Sequence, residues 1–228
     1  MEYPQDPDVY YGEEEALTTF QVWTMAFTSP SEETYARIVR DPNASIGRAL
    51  LWFVVTSFIG SMISVLANAL FGSFSNFSDL AELGEYAPMF EDLMGTFGLM
   101  QLICIPVGVV IGLIIFLFHT GVIHFIADAL GGTGKYSDLV YSFAAFTAPF
   151  SLVYNLILAI PIVQCFGVFT GFYALFLGML ALKVVHRFDW GKVIGTYAIL
   201  IAMWLIFFCI LAALLMAFFN QVFQAMGA

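Results

Sequence analysis

The chain has 228 residues, of which 61% are hydrophobic and 11% are charged, and its mean hydropathy is +0.91. A water-soluble domain of this size exposes far more charge, so the composition indicates an integral membrane protein. The formal net charge is -10 and the seven Lys and Arg residues are dispersed, which excludes a basic nucleic-acid-binding surface.

The first segment of the chain is acidic and polar. Residues 1–15 contain six acidic and no basic residues, a composition typical of a disordered tail. Ala16, Phe20, Trp23 and Phe27 then recur at helical spacing and predict an amphipathic helix. This helix could lie on the membrane surface through its aromatic side chains or pack against the transmembrane bundle, and periodicity is consistent with both.

A second short helix is predicted directly afterwards. Ser29, Pro30 and Glu32 have the spacing of a helix start, with Ser29 as N-cap and Glu32 completing a capping box. The helix is expected to end near residue 40, before an Asp-Pro pair. Residues 16–45 are therefore expected to form one or two cytoplasmic or interfacial helices.

Five apolar segments follow, each long enough to cross a bilayer, so we predict an all-α transmembrane domain over residues 46–228. Residues 72–95, between the first and second of these segments, are acidic and are predicted to form a loop. Three prolines are expected to kink or end the helices that contain them: Pro106, Pro149 and Pro161. The predicted spans cover approximately residues 46–71, 96–127, 137–160 and 163–185, and a last span that follows a loop at residues 186–192 and ends near residue 219.

The basic residues predict the orientation of this polytopic protein. All seven lie before or at the start of the first span, between the second and third spans, or around the connection between the fourth and fifth. Because basic residues concentrate on the cytoplasmic side, the N-terminus is expected in the cytoplasm and the C-terminus outside.

A glycine loop, residues 131–134, is the polar turn in the middle of the apolar sequence. Its glycines allow a tight reversal, and Lys135 after it is the only cation between Arg48 and Lys183. Short connections bring neighbouring antiparallel helices together, so the loop is expected to meet the turn after the fourth span. The candidate partner-binding residues of this inner face are His124, Asp128, Gly131, Gly132, Gly134, Lys135, Tyr136, His186 and Arg187.

We expect Asp128 to pair with Lys135 or Arg187 on this face. His124 and His186 are interpreted as caps of helix C-termini, with a metal-ligand or proton-relay site as the alternative. His119 lies about 140° from His124 around the helix, so the two cannot readily ligate one ion together.

Two further sets of residues concern contacts between the spans. Four amides are expected to bond one another near the outer membrane face, or else to line a polar vestibule: Asn68, Gln101, Asn155 and Gln164. Three G-x-x-x-G pairs are expected to pack helices closely, with a homo-oligomer as one possible use: Gly108/Gly112, Gly167/Gly171 and Gly191/Gly195.

A series of residues along the membrane domain forms a recognisable pattern: His124, Gly131-Gly132-Thr133-Gly134, Tyr136, Tyr141, Pro149, Ile160-Pro161, Ala181-Leu182, His186 and Trp190-Gly191-Lys192. This pattern resembles the Yip family, the Ypt- and Rab-interacting membrane proteins, and especially its short bacterial members. The resemblance implies five membrane helices, a cytoplasmic N-terminus and, for a bacterial-type member, the plasma membrane. For eukaryotic members, the resemblance also implies binding to small GTPases, but this chain lacks the long N-terminal cytoplasmic region of those members.

The sequence contains no nucleophile beside a base, no H-E-x-x-H and no phosphate-binding loop, so we predict a non-enzymatic protein without a cofactor or metal. We expect it to organise the bilayer or an unidentified membrane or cytoplasmic protein. The alternative is a channel or transporter for a small solute, ion or lipid. A continuous polar path between the outer amides and the inner histidines would favour transport, and an apolar plug would favour the adaptor.

Overall fold

The computed structural model describes residues 15–83 and 87–227, and these ranges contain helices and no β-strand. The predicted all-α fold is confirmed. A short 3-10 helix, Pro161–Phe166, precedes α6. The α-helices are α1 Thr19–Thr28, α2 Glu32–Val39, α3 Ile46–Leu83, α4 Ala87–Ala129, α5 Tyr136–Ala159, α6 Gly167–His186 and α7 Trp190–Gly227. The acidic tail was predicted for residues 1–15, and residues 1–14 of it lie outside the described residues.

Five of the helices are long and apolar enough to cross a membrane, as predicted. Their outer surfaces carry many exposed Leu, Ile, Val and Phe side chains, which suit contact with lipid. The chain is therefore a polytopic integral membrane protein. The candidate spans are Ile46–Ala67, Leu102–Ala129, Tyr136–Ala159, Gly167–His186 and Trp190–Gln221.

The predicted acidic loop of residues 72–95 is largely helical. α3 continues to Leu83 and α4 begins at Ala87, while residues 84–86 lie outside the described residues. The loop prediction was wrong because it relied on hydropathy. Hydropathy indicates where a helix leaves the apolar part of the membrane, but the backbone hydrogen bonds of that helix can continue into water. After Gly72, residues 73–83 contain neither glycine nor proline to interrupt the helix.

The three prolines have different local settings. Pro106 and Pro149 lie inside α4 and α5, and both helices continue through them. Pro161 starts the 3-10 helix, so the fourth span begins at Gly167 rather than at the predicted residue 163.

The N-cap of α2 is Ser31 and not Ser29. The Ser31 hydroxyl accepts from the Thr34 N–H at 3.0 Å. Ser29 still belongs to the preceding helix, as the C-cap of α1, where its N–H donates to Met25 O. The prediction was wrong because Ser29 already serves as the C-cap of α1. Of the two serines that flank Pro30, only Ser31 is therefore left to cap α2.

α1 packs against the transmembrane bundle, one of the two predicted positions, and its contact with the membrane surface stays a prediction. Val22 and Ala26 are fully buried and Trp23 is partly buried, whereas Ala16 and Phe20 are exposed. The predicted face was therefore only partly correct. The small aliphatic residues of α1 pack towards α5. Packing on the bundle, and not the spacing of the aromatic residues, determines which face of α1 is buried.

α5 is the central helix and contacts α1, α2, α3, α4 and α6. Its first half is buried, from Leu139 to Phe146. We call the end of the bundle that carries the glycine loop and the turn 187–189 the proximal end, and the opposite end the distal end. The N-terminal helices pack on α5 and α6, near the proximal end.

Candidate functional site at the proximal end

The glycine loop packs directly against the end of α6, so the two connections meet as predicted. Gly131 has φ +83°, a conformation that L side chains rarely adopt. A Cβ atom on Gly132 would lie 2.3 Å from His186 Nδ1, and one on Gly134 would lie 2.5 Å from the Val185 carbonyl oxygen. Glycine is therefore required at these positions by backbone conformation and by the close approach of α6.

His124 and His186 contact each other across α4 and α6, with 3.3 Å between Nδ1 of His124 and Nε2 of His186. His186 is 1% exposed, and its buried Nδ1 has no hydrogen-bond partner among the described residues. The last carbonyls of α4 and α6 instead accept from backbone N–H groups that follow, including those of Gly132 and Phe188. The histidines thus join two helices, and the predicted capping role is taken by the backbone.

The metal-ligand alternative has little geometric support in the described part of the chain. No group of three or more His, Cys, Asp or Glu side chains is arranged there to hold an ion. His119 lies apart from the pair, with its ring 6.3 Å from that of Trp204.

The predicted ion pair of Asp128 does not form with any described residue. Asp128, Lys135 and Arg187 are all exposed. Arg187 has φ +55° at the C-cap of α6. The close loops fix these backbones but direct the charged groups outwards, where a pair would contribute little to stability.

Tyr136 fixes the start of α5 next to the histidines. Its hydroxyl donates to Leu117 O at 2.9 Å, and its ring centroid lies 5.6 Å from that of His124. Close contacts therefore hold the backbone of the proximal face in place, and charged side chains are exposed on this face.

A buried ionic network that the sequence did not reveal ties the N-terminal segment to this end. Arg48 Nη1 lies 2.8 Å from Asp41 Oδ2, and the Tyr141 hydroxyl donates to the same oxygen at 2.9 Å. Arg48 Nη2 donates to Leu17 O at 2.7 Å. The Asp41 Oδ1 atom accepts from the N–H groups of Leu17 at 3.2 Å and Asn43 at 3.0 Å.

The surroundings of Asp41 favour its ionised form, although its side chain is fully buried. Burial acts to raise the pKa of the Asp41 carboxyl. Hydrogen bonds from the Asn43 N–H, the Tyr141 hydroxyl and the Leu17 N–H, together with the Arg48 charge, outweigh burial and hold this pKa below its ordinary value. A carboxylate with a charged partner and several donors is the arrangement that makes a buried charge tolerable.

Aromatic rings cover the network. The Arg48 guanidinium lies 4.8 Å from the Trp52 ring centroid, and the Trp52 ring lies 5.2 Å from that of Tyr141. Trp52 Nε1 donates to Thr19 Oγ1 at 3.2 Å. The available sequence signal was the pair Asp41 and Arg48, seven residues apart around the start of the first span.

Further contacts hold α2 and the end of α1. Lys183 forms an ion pair with Glu32, and its Nζ lies 4.9 Å from the Trp190 ring centroid. The Tyr173 hydroxyl donates to Phe27 O. The N-terminal helices are therefore attached to α3, α5 and α6 by side-chain bonds as well as by packing.

Of the four predicted outer amides, the structure describes the side chain of Asn155. It accepts from the Ser64 hydroxyl at 2.8 Å and donates to Ser151 O at 2.7 Å. Contacts among the amides stay a prediction, because three of the side chains lie outside the described residues: Asn68, Gln101 and Gln164.

The glycines at the closest contacts between helices, Gly60 and Gly178, do not belong to the predicted pairs. A Cβ atom on Gly60 would lie 2.7 Å from Asn155 Nδ2, and one on Gly178 would lie 2.6 Å from the Tyr197 hydroxyl. In the predicted pairs, Gly112 faces the Phe53 ring, Gly167 faces Leu158 and Tyr154, Gly191 faces Asp189, and a Cβ atom would meet nothing within 4 Å at Gly108, Gly171 and Gly195.

Large apolar side chains are packed in the bundle between the level of the proximal histidines and that of Asn155. In this part of α5 Leu139, Phe143 and Phe146 are buried, and Phe53 of α3 stacks on Phe116 of α4 with 4.8 Å between centroids. The same part of the bundle also contains buried polar side chains, among them Thr56 and Ser142.

Comparison with known protein families gives a match over most of the chain. The family model described as the Yip1 domain matches residues 24–223, from within α1 to within α7. No curated protein and no solved structure matches the chain.

Proposed function

The chain belongs to the Yip1 domain family, and from this membership we propose that it is a non-enzymatic membrane adaptor whose proximal face binds a protein partner. The proposed docking face consists of the glycine loop, Lys135 and the turn 187–189. The N-terminal helices α1 and α2 flank this face.

The observation that carries the proposal is the combination of fixed backbone and exposed charge. Close contacts at Gly132 and Gly134 hold the loop against α6, while Asp128, Lys135 and Arg187 remain exposed. A preorganised surface loses little conformational entropy when a partner binds. Charged groups at its rim provide orientation and speed of association more than affinity.

Packed apolar side chains in the bundle support an adaptor over the alternative of a channel or transporter. A transported polar solute or ion needs a path lined by polar or charged groups. Phe143 and Phe146 are buried on α5 between the level of the proximal histidines and that of Asn155, where they add apolar bulk to the interior of the bundle.

The proposed orientation places the proximal end in the cytoplasm. The seven basic residues belong to the segments at or near this end, from Arg37 on α2 to Lys192 at the start of α7. The positive-inside rule then places the N-terminus inside and the C-terminus outside. The likeness to short bacterial members supports the bacterial plasma membrane as the location.

Photo-crosslinking in native membranes tests the proposed docking face. A photoreactive amino acid at Lys135 is expected to give a discrete protein adduct that decreases in the Arg187→Glu variant. The matched control is the same probe at Phe169, an exposed apolar position on α6. An adduct of equal yield from both positions, or adducts with lipid alone, would contradict the proposal.

A further inference from the structure

A polar cleft of about 480 Å³ lies between α3, α4 and α5, away from the proximal face. It extends from the middle of the first span, at Ser57, towards the distal ends of the helices. The polar wall is formed by Ser57, Ser61, Ser64, Ser151 and Asn155. The size is within the range typical of small-molecule sites.

The hydroxyl hydrogens of three serines on this wall, Ser61, Ser64 and Ser151, are already used within the protein. Ser61 donates to Ser57 O, and Ser151 donates to Ala148 O, both at 2.8 Å. Ser64 donates to Asn155 Oδ1 at 2.8 Å. Because a hydroxyl oxygen also has lone pairs, the serines can still accept hydrogen bonds from a molecule in the cleft.

The described lining residues of the cleft carry no charge. An ion would lose hydration there without gaining an opposite charge from these described residues, which is unfavourable. An uncharged molecule with hydroxyl donors would instead match the acceptor oxygens. Asn155 can additionally donate its second amide hydrogen, because Nδ2 uses one for Ser151 O.

We propose that this cleft is a binding site for an uncharged hydroxyl-bearing ligand, either a free polyol or the headgroup of a neutral lipid such as a diacylglycerol. The site does not depend on the proximal docking face. None of the described residues that line the cleft belongs to the proximal face, and the buried Phe143 and Phe146 lie on α5 between the two regions.

The α4 side of the cleft offers a built-in reporter. Cys104 lines the cleft and is exposed, while Cys165 and Cys209 are exposed elsewhere. The rate of N-ethylmaleimide labelling at each cysteine can be followed by peptide mass spectrometry on the intact chain in detergent micelles. The two other cysteines then report general effects of an added compound in the same sample.

Dioctanoylglycerol is the lipid probe and glycerol is the polyol probe. We expect at least one of them to slow labelling at Cys104 several-fold relative to Cys165 and Cys209. Protection by dioctanoylglycerol alone identifies a lipid headgroup site, and protection by both identifies a polyol site. Equal slowing at all three cysteines, or no slowing by either probe, would overturn the proposal.

A pair of glycine variants separates binding in the cleft from effects on folding. A Cβ atom at Gly108, which lines the cleft, would meet nothing within 4 Å, and the same holds for Gly171 on α6. Gly108→Leu should fill the cleft and abolish the ligand-dependent protection of Cys104, whereas Gly171→Leu should leave it unchanged. Protection that persists in Gly108→Leu would show that the probe acts outside the cleft.

A second variant keeps the shape of the cleft and removes acceptors. Ser61→Ala with Ser151→Ala deletes two hydroxyls that otherwise bond their own helices, so folding should be preserved. The probe concentration for half-protection is expected to rise about tenfold, since each lost hydrogen bond weakens binding several-fold. An unchanged concentration would contradict recognition by these hydroxyls.

Discussion

Replacing Asp41 by Ala should be among the most destabilising changes on the proximal side. The substitution removes the acceptor of bonds from Arg48, Tyr141, Leu17 and Asn43. The Arg48 side chain, 17% exposed, then lacks a counter-ion. Breaking a buried pair costs about 3–5 kcal/mol. Because Arg48 keeps its bond to Leu17 O and some access to water, we expect a loss of about 3 kcal/mol.

Reversible unfolding in mixed detergent micelles measures this loss, and Asp128→Ala is the matched control. Asp128 is exposed and has no ion pair with a described residue, so its replacement should change the unfolding free energy by less than about 0.5 kcal/mol. Adding Arg48→Met to Asp41→Ala should recover part of the loss, because it removes the unpaired charge. Equal shifts for Asp41→Ala and Asp128→Ala would refute the assigned role of the network.

The other expectations concern pH, close packing and a single hydrogen bond. The pKa of Asp41 is lower in the folded than in the unfolded chain, so the advantage of the wild type over Asp41→Asn should be full above about pH 5 and decrease below about pH 4. A pH-independent difference in melting temperature would contradict this. Gly134→Ala should lower the melting temperature clearly and Gly171→Ala should not, because only the first Cβ would contact backbone, at 2.5 Å from Val185 O. Equal melting temperatures would show that the loop adjusts freely. Tyr141→Phe should cost about 2 kcal/mol of unfolding free energy, since it removes a bond to a charged acceptor; a loss as large as that of Asp41→Ala would instead implicate packing.

The membrane spans could be predicted because their signal is local. A long apolar segment has few alternatives to a membrane helix, and all five spans were found at approximately the correct positions. The meeting of the two proximal connections also followed from short loops, and the contacts at Gly132 and Gly134 confirm it. The helix ends were less accurate, as at Ser31, because several residues could provide the same cap.

The details of the polar contacts depend on tertiary structure, which the sequence pattern does not contain. Tyr141 is 100 residues from Asp41, so no local spacing indicates their bond. Asp128 could be placed near basic residues, but the direction of its side chain depended on the geometry of the loop. Similarly, a G-x-x-x-G pattern shows where one face of a helix lacks side chains, but not whether another helix packs on that face. At Gly171 a Cβ atom would meet nothing within 4 Å.

Cysteine accessibility tests the central claim, a cytoplasmic docking face at the proximal end, most directly. Lys135→Cys in a background with Cys104, Cys165 and Cys209 replaced by Ala can be labelled with a membrane-impermeant maleimide in sealed right-side-out and inverted vesicles. A cysteine at Asp92, in the acidic segment, serves as the opposite-side control. If the proximal face is cytoplasmic, residue 135 should be labelled in inverted vesicles and residue 92 in right-side-out vesicles. The reverse pattern would place the proximal face outside the cell and contradict the proposed docking face.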